Sequence, residues 1–104
     1  MSHEIAEKLG GLASRVNNLA VNHSGSDARA LLELQDRLAD LELVAIVKEL
    51  RSDREDYKTA IQGLNDAIAF IGEATHKIEN VAKAIQLTAK AAELVEKAIK
   101  TAAA

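Results

Sequence analysis

The chain has 104 residues, a formal net charge of −3, 28% charged residues and no cysteine. That length allows one domain with a thin core, since a chain this short buries only about 60–65% of the surface its unfolded form exposes. No cysteine means no disulfide, thiolate metal site or cysteine nucleophile, and a mixed, slightly acidic charge lacks the basic face of a nucleic-acid binder. There is no proline, aromatics are 2% of the chain, and Tyr57 and Phe70 are the two present. A proline-free chain rich in Ala, Leu, Glu and Lys favours helix. No run of about 18–20 apolar residues is long enough to span a bilayer, and Met1-Ser2-His3-Glu4 is too polar to start a signal peptide. A cytoplasmic location is the expectation.

The first predicted helix covers residues 3–21, with Ser2 as its cap and Glu4 and Glu7 at the positive end of its dipole. Ile5, Leu9, Leu12, Val16 and Leu19 fall on one stripe. Gly10-Gly11 weakens this helix by about 1 kcal/mol per residue relative to Ala, or admits another backbone closely. Asn22-His23-Ser24-Gly25-Ser26 reads as a loop, and Ser26 or Asp27 caps a second helix over 27–51. Leu31, Leu34, Leu38, Leu41 and Ala45 form its main stripe. Leu43, Val47 and Leu50 form a rotated one that Leu32 and Ile46 widen, so this helix is expected to touch neighbours on more than one side. Ser52-Asp53-Arg54-Glu55 has the form of a capping box.

From Asp53 onward the sequence is more regular. Tyr57, Leu64, Ile71, Ile78, Ile85, Ala92 and Ile99 recur every seven residues, with Ile61, Ile68, Thr75, Ala82, Ala89 and Glu96 between them. This reads as an unbroken heptad seam. A neighbouring row of Ala60, Ala67, Ala74, Val81, Thr88 and Val95 broadens the face toward a bundle. The fold class is all-α, a single domain over 1–104. The preferred architecture is an antiparallel bundle of three helices with a long C-terminal coiled-coil-like helix of about 45 residues, roughly 68 Å. The alternative is a four-helix up-down bundle with a turn near Gly72.

The residues assigned to partner binding are Phe70, Ala84, Leu87, Ala91, Leu94 and Ala98, an apolar strip away from the main seam. An exposed strip of this kind marks a contact surface; the competing reading has the first or second helix of the chain covering it. Lys83, Lys90 and Lys97 form a basic edge, read as a solvated face with neighbouring glutamates. Glu73-x-x-His76 has the spacing of di-iron bundles, but it occurs once and off the seam. His23-Ser24-Gly25-Ser26-Asp27 holds the residue types of a catalytic triad without the strand-turn-helix that orients one. Glu96 on the seam requires solvent or a partner; fraying near the chain end is favoured for it, and a register role for Thr75. The functional expectation is a non-enzymatic helical module without cofactor or metal, acting through the seam of its long helix on a second copy or a helical protein. A lipid- or granule-surface protein is the alternative, and neither nucleic acid nor a small-molecule substrate is expected.

Overall fold

The structure, a computed structural model, describes residues 3–48, 50, 51, 53–74 and 80–103. Four helices account for nearly all of them: α1 (Glu4–Val21), α2 (Gly25–Val47), α3 (Glu55–Ala74) and α4 (Val81–Ala103).

The α1 stripe is buried as its spacing requires, with Leu9, Leu12, Val16 and Leu19 fully inside. His3 occupies the N-cap position without a side-chain cap bond; Ser2 lies outside the described residues. At the other end the chain ties off its own free carbonyls. Asn22 donates from its backbone N–H to Leu19 O, and from Nδ2 to Asn18 O at 2.9 Å. The next helix begins two residues earlier than the sequence suggested, so neither Ser26 nor Asp27 is its cap. Ser24 is extended at the N-cap and Gly25 adopts φ +69°. That left-handed backbone suits a residue without Cβ, and it closes the link to three residues. A link this short makes α1 and α2 an antiparallel hairpin.

The long C-terminal helix is not formed. The helix ends at Ala74 and the next begins at Val81, and the molecule is 39 Å in its longest dimension, against roughly 68 Å for a 45-residue rod. The physical reason is coverage. Helices α1 and α2, of 18 and 23 residues, cover only about half of such a rod, leaving its apolar face in water. Folding back gives the two halves of that face each other. Thr75 and Ile78 lie outside the described residues.

The four main interfaces are α1–α2, α3–α4, α1–α3 and α2–α4. Glu42 of α2 lies over Gly10 of α1, Leu94 of α4 over Gly63 of α3, and the Arg15 guanidinium beside Gly72. Arg37 of α2 meets Glu96 of α4. The N-termini of α1 and α3 therefore share one end of the bundle with the C-termini of α2 and α4. Two antiparallel hairpins lie side by side with like-directed helices in contact, and the segment after α2 crosses a diagonal. Leu50 packs against the core in that segment, and Arg51 grips Asp53 through two hydrogen bonds of 3.0 and 3.3 Å.

Candidate interaction surface

Helix α4 contributes Val81, Ala84, Thr88, Ala91, Ala92, Val95 and Ala98 to the core. Three members of the strip assigned to partner binding, Ala84, Ala91 and Ala98, are thus inside the chain, and they are not an exposed contact surface. Phe70, Leu87 and Leu94 are half-buried and packed against the same core. The cover comes from α3, where Gly63 lets the helices close: a Cβ there would stand 2.7 Å from Leu94 Cδ1 and 3.6 Å from Ala91 Cα. The seam is spent in the same way. Tyr57, Leu64, Ile71 and Ala92 are buried, while Ile85 and Ile99 are half-buried.

Glu96 sits within α4, not at a frayed end. Arg37 donates to it from Nη2 at 2.6 Å and from Nε at 3.1 Å. This two-pronged hydrogen bond holds the Glu96 carboxyl below its ordinary value, against the opposing effect of partial burial. The Arg37 guanidinium is raised, and its largest cause is the same hydrogen bond. The pair clamps α2 to α4 beside a shallow groove of Leu41, Val44, Ile99 and Lys100.

The lysine edge is where the heptad count places it, with Lys83, Lys90 and Lys97 all exposed. Lys83 reaches back so that Nζ lies 5.0 Å from the centre of the Phe70 ring, a cation–π distance. In the Asn22–Ser24 link, His23 Nδ1 donates to Leu19 O at 2.8 Å in the tautomer that protonates it. The ring therefore closes a helix end and is not turned to a serine hydroxyl. Its Nε2 is buried without a hydrogen-bond partner. His76 of the Glu-x-x-His spacing lies outside the described residues, and no group of three or more potential metal ligands is gathered among the described ones. A partly open cleft between Leu50, Arg54, Tyr57 and Ala98 measures about 10 Å³, room for one water. Among the described residues no helix is long and apolar enough to cross a membrane.

Among the described residues, one face of α2 is left exposed. Leu32 is 46% exposed, Leu43 67%, Ile46 48% and Val47 80%. Leu32, Asp36, Ala39, Leu43 and Ile46 are spaced 4, 3, 4 and 3 residues apart, and all are exposed. That spacing puts them on a single line along the helix, opposite the buried Leu31, Leu34, Leu38 and Leu41. Helix α2 is therefore amphipathic about two stripes, which is why its polar residues do not gather on one side. Glu33 and Asp40 border the outer stripe and are exposed. The sequence showed these apolar residues as a widened arc; that they face water and not a neighbouring helix was decided by where α1 and α4 sit. No family model matches the chain, and no curated protein or solved structure shows significant similarity to it.

Proposed function

We propose that the chain is a non-enzymatic helical interaction module whose docking surface is the outer face of α2. One observation carries this reading. Four large aliphatic side chains, Leu32, Leu43, Ile46 and Val47, stand in water on one side of α2, Leu43 and Ile46 on a 4-3 line with Ala39, while the large apolar heptad residues of α3 and α4 pack in or against the chain's own core. Contiguous exposed apolar surface in a small domain marks a place where something binds, and apolar residues at i, i+4 and i+7 suit a partner helix laid alongside. A lipid surface has less support. The exposed aliphatics are bordered by Glu33, Asp36 and Asp40, which anionic headgroups repel, and no large aliphatic on α4 is exposed beside the lysine edge for insertion.

Site-specific photo-crosslinking in the producing cell tests the reading. A photoreactive side chain in place of Leu43 gives discrete protein adducts, and the same group in place of Lys90 on α4 does not. Equal adduct yields from the two positions, or none from either, overturn it.

A further inference from the structure

We infer that the occupant of the α2 face is a basic amphipathic helix of a different protein, an inference that rests on the docking reading above and names its partner chemistry. The argument starts with charge. Helix α2 carries Asp27, Glu33, Asp36, Asp40 and Glu42 against Arg29 and Arg37, a balance of 2 − 5 = −3. Arg37 is bound to Glu96, which leaves Arg29 as the cation of α2 outside that pair. The apolar stripe itself is interrupted by Asp36 and edged by Glu33 and Asp40, all exposed.

A second copy of the chain fits this surface poorly. Besides the α2 stripe, the exposed large aliphatic among the described residues is Val21. It lies at the α1 C-terminus, the opposite end of the bundle from Val47. The lysine edge of α4 complements the charge but offers no large apolar side chain to cover Leu43, Ile46 and Val47. Self-association therefore requires α2 on α2. An antiparallel pairing centred on Ala39 brings the two Asp40 carboxylates toward one another and sets each Asp36 against the partner's Leu43. A parallel pairing stacks every acid on its own like. Like charges across a helix seam oppose pairing and act as a specificity device. A foreign helix with leucine-type residues at 3–4 spacing and flanking Lys or Arg satisfies both the stripe and its acidic border. Charge of opposite sign also speeds the encounter.

The test uses the full chain and two synthetic amphipathic peptides with the same leucine stripe, one flanked by Lys and one by Glu. Calorimetric titration is expected to show the Lys peptide binding at least ~10-fold more tightly than the Glu peptide. Leu43→Asp with Ile46→Asp abolishes that binding, and Asp36→Lys with Asp40→Lys transfers the preference to the Glu peptide. All four positions are exposed, and thermal melts of both variants confirm that the bundle is intact. The inference is overturned if the two peptides bind equally or not at all, or if the Lys peptide binds the Leu43→Asp/Ile46→Asp variant undiminished. It also falls if sedimentation shows a dimer that the same variant dissolves. In that last case adducts from position 43 are copies of this chain, so the docking reading survives and only the partner class is lost.

Discussion

The two hairpins of this bundle solve the same packing problem with different residues. In α1–α2 the buried face is built from Ile5, Leu9, Leu12, Val16, Leu19, Leu31, Leu34, Leu38 and Leu41. In α3–α4 much of it is alanine: Ala60, Ala67, Ala84, Ala91, Ala92 and Ala98, with Gly63 at the close approach. The second hairpin packs with smaller side chains, and Gly63 leaves the room that Leu94 and Ala91 take up against α3. The second hairpin hides its large aliphatics in doing so. All five of the large aliphatics exposed among the described residues, Val21, Leu32, Leu43, Ile46 and Val47, belong to the first. One hairpin keeps its large aliphatics at least half-buried, and the other leaves five in water.

The largest effect separating the hairpins is expected at Leu38, which is fully buried. Leu38→Ala removes buried side-chain volume from the core, and denaturant unfolding should show a loss of about 2–5 kcal/mol. The converse change in the second hairpin, Ala91→Leu, forces bulk into the contact with α3 beside Gly63 and should cost about 1–3 kcal/mol. If Ala91→Leu is tolerated without loss, the α3–α4 interface is looser than Gly63 and Leu94 indicate. Gly11→Ala runs the other way. A Cβ there meets nothing within 4 Å, so the substitution should raise stability by about 0.5–1 kcal/mol. A smaller effect attaches to Glu96→Gln. The Arg37–Glu96 pair is more than a third exposed on both sides, which limits it to about 0.2–1 kcal/mol. Because the folded carboxyl is depressed below its ordinary value of 4.5, its contribution is present above that pH and lost as the pH falls through the folded value. Melts of wild type and Glu96→Gln should therefore differ at pH 7 and converge in acid. Leu43→Asp stands last for stability, within about 0.5 kcal/mol, although it disrupts the proposed docking surface.

The break between α3 and α4 shows why a heptad count misled. The link spans residues 75–80, a length that preserves the seven-residue phase from Ile71 to Ile85, so the repeat continues while the chain reverses. A subtler signal was present. In the first half the second seam row is Ile61 and Ile68, and the row of Thr59 and Asp66 is polar. In the second half that seam row declines to Ala82, Ala89 and Glu96, while the row equivalent to Thr59 and Asp66 becomes Leu87 and Leu94. The burial follows: Tyr57, Ala60, Leu64, Ala67 and Ile71 in α3, then Val81, Ala84, Thr88, Ala91, Val95 and Ala98 in α4. The apolar face has moved one row round the helix. A single straight helix has no reason to move it; a helix that returns to meet new neighbours does. Reading phases separately in the two halves would have placed the turn and put Ala84, Ala91 and Ala98 in the core. Glu96 was legible as a residue in need of a partner, but Arg37 lies 59 positions away, and no local pattern links them.

The sequence by itself determined the all-helical class, the core stripes of α1 and α2, and the first turn, because these depend on local propensity and on 3.6-residue periodicity within one segment. Tertiary structure decided that the second half folds back, that the alanine strip of α4 is interior, and that one face of α2 is left in water. Those outcomes depend on which apolar surface finds cover, and cover is a property of the assembled helices, since hydrophobic burial has no direction of its own and is settled by area.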